Sequence, residues 1–137
     1  MIVFAQFSTN NKPITVGDLF KAAVKKYGCP THVQTDYSGE NVEVSRHMVS
    51  VYGEDCKSVI AGSSVHNQRI ERHNRIVNEQ VIAQFKSMFY QLECESVLDP
   101  SNDIDLFCLH HVFLPILNKS LGEFVAAHNN HKISTEE

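Results

Sequence analysis

Tryptophan is absent, and 137 residues hold only six glycines and four prolines. That scarcity excludes collagen-like and proline-rich low-complexity chains. The four cysteines, at 29, 56, 94 and 108, include no Cys-x-x-Cys pair. Neither a zinc ribbon nor a thioredoxin-type redox site is signalled. No basic-then-apolar leader opens the chain, so it reads as intracellular with reduced thiols. The longest apolar patch, Val112 to Leu117, contains Pro115 and falls far short of the roughly 20 residues of a membrane-spanning helix. A basic excess is missing too. Twelve Lys and Arg face sixteen Asp and Glu, a net charge of −4. That disfavours a general electrostatic clamp on nucleic acid, yet leaves room for a local basic face.

What is present is ordinary globular material. Apolar residues make up 42% and charged residues 20%, enough for a core in a chain of one-domain length. No internal repeat or linker divides residues 1–137, which are therefore read as a single unit. Met1 to Phe7 is β-prone and uncharged, and predicts a strand. A helix follows, with Thr15 as N-cap, an apolar face of Val16, Leu19, Phe20, Ala23, Val24 and Tyr27, and a stop at Gly28-Cys29-Pro30. His32–Thr35 and Ser58–Ala61 predict two short strands, with a helix over Val42–Tyr52 between them.

A long helix is expected from Val65 or His66 to Leu92, with Ile70, Val77, Val81, Phe85, Met88 and Leu92 as its stripe. After Asp99-Pro100-Ser101 a second runs from Ile104 to His128. Its inner face is Leu106, Leu109, Phe113, Leu117, Leu121 and Phe124, and Pro115 should kink or divide it. Cys108 is expected to be buried in that helix as a small hydrophobe. The end, from Ile133, looks frayed. Strand, helix, strand, helix, strand and a helix-rich C-terminal half make an α/β pattern.

Asp36 ends a predicted strand, where ligands of open α/β sheets gather. Glu71 opens the long helix. Two hard oxygen ligands converging on a cleft would suit Mg²⁺ or Mn²⁺. The plainer readings are a turn-forming Asp and an exposed ion pair between Glu71 and Arg75. Eight histidines invite a zinc reading, with His128 and His131 on one helix face. The cysteines supply no second ligand pair for it.

The segment from Gly62 through His66, Asn67, Arg69, Glu71 and Arg72 to Arg75 resembles the block around the last catalytic Glu of retroviral-type integrase and transposase cores. These form the DDE group of the RNase H-like superfamily. Thr35-Asp36-Tyr37-Ser38-Gly39-Glu40-Asn41 resembles that family's second-Asp block, except that Ser38 stands where a Gly is usual and Gly39 comes one later. Leu106 to Pro115 and His128-Asn129-Asn130-His131 resemble the integrase core domains carried in animal genomes as retroelement relatives.

The resemblance covers nearly the whole chain. It implies an RNase H-like fold and DNA strand transfer by metal-dependent phosphodiester chemistry. Asp36 and Glu71 are then the second and third metal-bearing carboxylates. Arg69, Arg72 and Arg75 contact phosphate, and His66 and Asn67 approach the DNA end. The partner it implies is DNA, in the nucleus, with a homo-oligomer allowed. Glu40 and Asn41 shape the turn or cap the next helix.

The family's first Asp has no matching residue here. The resemblance therefore implies a core truncated at its N-terminus, an incomplete sheet, little strand transfer and poor stability for this polypeptide alone. A non-catalytic, retroelement-derived interaction or dimerisation module is the alternative.

Overall fold

The computed structural model describes residues 1–62 and 68–131. The chain falls into two compact units, residues 10–72 and residues 1–9 with 73–137.

In the first unit, helix α1 spans Pro13–Tyr27. Its N-cap is Lys12, not the expected Thr15, because Pro13 supplies the helical φ and lacks only an N–H that the first turn leaves unpaired anyway. Thr15 instead donates its hydroxyl to Asn10 Oδ1 at 2.8 Å. Gly28, at φ 91°, stops the helix, a conformation that costs glycine least. Strand β1 is Val33–Thr35, helix α2 is Val42–Tyr52 and strand β2 is Val59–Ala61. The strands pair in parallel, with Val33 opposite Val59 and Thr35 opposite Ala61. A βαβ unit results, its crossover helix being α2.

Phe20, Val44 and the fully buried Met48 form this unit's core. Val16, Val24, Val33, Tyr52 and Val59 pack around them. Helices α1 and α2 pack closely at Gly17, where an added Cβ would lie 2.6 Å from Glu43 Cβ.

Helix α3, Gln68–Val77, carries the unit boundary between Arg72 and His73. The expected uninterrupted α-helix contains a π-helical stretch at Asn78–Ile82, followed by α4 at Ala83–Cys94. Val77, Val81 and Phe85 recur every four residues, which drifts about 40° per step on a 3.6-residue helix. A wider turn takes up that drift. The helix start expected at Val65 or His66, and the frayed end expected from Ile133, lie outside the described residues.

Helix α5, Asp103–Asn130, is capped by Asn102, whose side chain accepts from Ile104 N–H. Pro115 does not divide it. The bond Pro115 forfeits would have used the carbonyl of His111. Both residues are exposed, so water can satisfy that carbonyl. The expected inner face holds, with Leu121 buried and Leu106, Leu109, Phe113, Leu117 and Phe124 half-buried. Cys108, in contrast, is exposed. It lines a shallow apolar cavity of about 180 Å³ with Leu92, Leu98 and Phe113. No helix among the described residues is long and apolar enough to cross a membrane.

Met1–Phe7 is not a strand. A strand exists only through its ladder, and no strand lies among the described residues of this unit. Asparagine side chains of α5 take the ladder's place, Asn118 at Phe7 and Asn129 at Ile2.

Candidate functional site

Asp36 follows directly on β1. The register sets Thr35 opposite Ala61, and Gly62 N–H donates to Thr35 C=O at 3.0 Å. Asp36 and the loop leaving β2 therefore start from the same, carboxyl-terminal edge of the parallel pair, the edge where ligands of open α/β sheets bind.

The Asp36 carboxylate is held tightly. Three donors converge on Oδ1: the Ser38 N–H at 3.2 Å, the Ser38 hydroxyl, and the Asn41 side-chain amide at 2.8 Å. Asn41 also donates to Ser38 Oγ at 3.0 Å, closing the cluster. Among the described residues, no other side chain donates to Oδ2. Above all the Ser38 hydroxyl, then the Ser38 N–H and the Asn41 amide, hold the Asp36 carboxyl below its ordinary 3.8, outweighing the opposing effect of burial. The group stays ionised, with one oxygen fixed and the other available.

This is the part of the site that residue pattern did not disclose. Ser38 lies at φ −72° and ψ 144°, extended backbone open to any residue. The loss of the usual glycine therefore strains nothing and adds a hydroxyl donor. Asn41 is the N-cap of α2 but makes no side-chain capping bond, its amide being turned to Asp36 instead. An Asp followed two residues later by Ser is an Asx-turn signal, and it could have exposed the first of these bonds.

Glu71 is the fourth residue of α3 and is exposed. The Glu71–Arg75 ion pair expected from their spacing is not formed. Arg75 reaches forward to Glu79 instead, at 3.9 Å, with both side chains exposed. Such a pair stabilises little, and Glu71 has no ion pair among the described residues. Arg69 and Arg72 are exposed on the same helix. His66 and Asn67 lie outside the described residues.

No group of three or more His, Cys, Asp or Glu that could hold a metal occurs among the described residues. The zinc pairing of His128 with His131 is not formed on a common helix face, since α5 ends at Asn130. His128 packs its ring against His73, at 4.8 Å between centroids, and Phe124.

Two carboxylates fit a hard divalent cation by donor chemistry. Among the described residues, Asp36 offers an ionised group with one oxygen that no other side chain engages, and Glu71 a carboxylate with no ion pair. Arginines three residues apart, on a helix fed from the same sheet edge, fit phosphate. No curated protein and no solved structure matches the chain. A family model described as the integrase core domain matches residues 1–137. With the match spanning every residue, from the apolar N-terminal segment through the Asp36 turn and the arginine helix to the end of α5, the chain belongs to the integrase core domain family.

Proposed function

We propose that this chain contributes to DNA integration as part of a polynucleotidyl strand-transfer core of RNase H-like fold, residues 1–137 acting as one domain. Asp36 carries the reading. It is an ionised carboxylate at the ligand edge of a parallel sheet, one oxygen locked by Ser38 and Asn41, in a chain of the integrase core family. Asp36 and Glu71 would hold Mg²⁺ or Mn²⁺. Such a cation, when bound, activates an attacking oxygen and stabilises a leaving one. The protein's own part is to keep Asp36 deprotonated, to aim Oδ2 through the Ser38–Asn41 clamp, and to bring Arg69, Arg72 and Arg75 to phosphate oxygens. His66 and Asn67, in the loop before α3, approach the DNA end. The DNA substrate makes the nucleus the place of action.

Asp36 and Glu71 are the two carboxylates this reading assigns to the metal. Mn²⁺ titration followed by electron paramagnetic resonance tests it. Saturable binding that falls at least tenfold in both Asp36→Asn and Glu71→Gln is expected. Binding unchanged by either substitution refutes the metal assignment.

A second reading, a non-catalytic interaction or dimerisation module, is favoured by α5. That helix exposes Ile104 (71%), Phe107 (69%) and Val112 (53%), apolar side chains that a partner could cover.

A further inference from the structure

We propose that the face of α5 carrying Asn118 and Asn129 is a binding site for an extended peptide main chain. In this structure residues 1–7 occupy it. The other occupant is the same segment of a second copy.

Each asparagine makes a two-point contact with one residue's backbone. Asn118 Oδ1 accepts from Phe7 N–H at 2.8 Å, and its amide donates to Phe7 C=O at 3.0 Å. Asn129 Oδ1 accepts from Ile2 N–H at 2.7 Å, and its amide donates to Ile2 C=O at 2.7 Å. A carboxamide presents one acceptor and one donor side by side, which is what a neighbouring strand offers. The Asn118 amide also donates to Leu114 C=O one turn back, at 3.0 Å, so the side chain is oriented by its own helix.

The spacing fits an extended ligand. Eleven residues of α-helix rise about 16.5 Å and return to within about 20° of the starting direction. Five residues of extended chain cover about 16.5 Å. Ile2 meets the later asparagine and Phe7 the earlier, so the segment runs antiparallel to the helix. Ile2 and Phe7 are an odd number of residues apart, so a flat strand would turn their amides to opposite sides. The helix captures both on one face, so the bound chain is extended but twisted.

Selectivity follows from what is touched. The four bonds from the two asparagines end on its main chain. Met1 is 83% exposed, whereas Ile2 and Phe7 are half-buried, so their side chains add to the main-chain bonds. A second copy carries the identical segment, so the site accepts it from another molecule as readily as its own. Tethering gives the chain's own copy an effective concentration of about millimolar, so exchange becomes visible only when that copy is disabled. The inference does not depend on the metal or DNA reading.

The test uses the full chain and a dye-labelled peptide of residues 1–9, followed by fluorescence anisotropy. Ile2→Pro with Phe7→Pro removes both N–H donors of the tethered segment. This double variant is expected to bind the peptide at least about thirtyfold more tightly than the native chain. Adding Asn118→Ala and Asn129→Ala should abolish the gain. Equal binding by native and double-proline chains, or a gain that survives loss of both asparagines, overturns the proposal.

Should the proline variant fail to fold, amide hydrogen exchange on the native chain decides. Ile2 and Phe7 should exchange more slowly than Ala5 and Gln6, and the difference should vanish in Asn118→Ala/Asn129→Ala. Equal rates at the four amides in the native chain overturn it too.

Discussion

Glycine to alanine at two helical positions should shift stability in opposite directions. Gly17 lies inside α1 and Gly122 inside α5. Helix propensity treats them alike, since replacing an interior glycine by alanine gains about 1 kcal/mol. The surroundings do not. An alanine Cβ at 122 meets nothing within 4 Å, whereas at 17 it would lie 2.6 Å from Glu43 Cβ. Glu43 Cβ is rooted in the α2 backbone, so α1 and α2 must separate for the methyl to fit. Overpacking of this kind costs about 1–3 kcal/mol. It falls on a unit whose core holds three buried side chains, Phe20, Val44 and Met48.

The balance is a net loss of about 1 kcal/mol for Gly17→Ala, against a gain approaching 1 kcal/mol for Gly122→Ala. In thermal melts followed by far-ultraviolet circular dichroism, about 1 kcal/mol corresponds to about 4–8 °C for units of this size. Exchange at the Val33 and Gly62 amides, which bond Ser58 and Thr35 carbonyls across the strand pair, reports the first unit separately. Gly17→Ala that stabilises as much as Gly122→Ala would refute the close α1–α2 approach.

Other outcomes follow from the same geometry. Met48→Ala removes the one large side chain fully buried among the described residues, a change of about 2–5 kcal/mol. A unit of about sixty residues holds only about 3–9 kcal/mol. Urea melts should show the first unit largely unfolded in Met48→Ala but within about 1.5 kcal/mol of native in Met48→Leu. Ser38→Ala should raise the Asp36 pKa toward 3.8 by removing its strongest donor, as read by carboxyl-carbon NMR titration. Because the folded-state value is depressed, the stability Asp36 contributes is present above the unfolded pKa. It is lost as pH falls through the folded value, so Ser38→Ala should flatten that acid-side loss. If the α3 arginines neutralise phosphates, Arg72→Ala should reduce the slope of log K against log salt for duplex DNA by about 0.9. An unchanged slope would remove Arg72 from the interface.

Much of the secondary structure was legible because local chemistry settles it. The expected limits of α2, Val42 to Tyr52, are the observed ones. Gly53, at φ 82°, stops the helix where few other residues could. The two short strands fall within one residue of expectation, each a β-prone run bounded by turn formers. The inner face of α5 followed from 3.6-residue periodicity, which needs no knowledge of the partner. Cys108 shows where that argument stops, because apolar sequence neighbours do not reveal which side of a helix is covered.

The candidate site divides the same way. The sequence by itself singled out the candidate side chains: Asp36 at a strand end, and Glu71 with Arg69, Arg72 and Arg75 at helical spacing. Only the tertiary structure decided how they are held. Ser38 and Asn41 converge on one oxygen of Asp36, Arg75 turns to Glu79, and Met1–Phe7 lies along α5 on two asparagines instead of in a sheet. The physical reason is that helices satisfy their hydrogen bonds within a local run of chain. Strands and carboxylates depend on partners that folding brings from elsewhere.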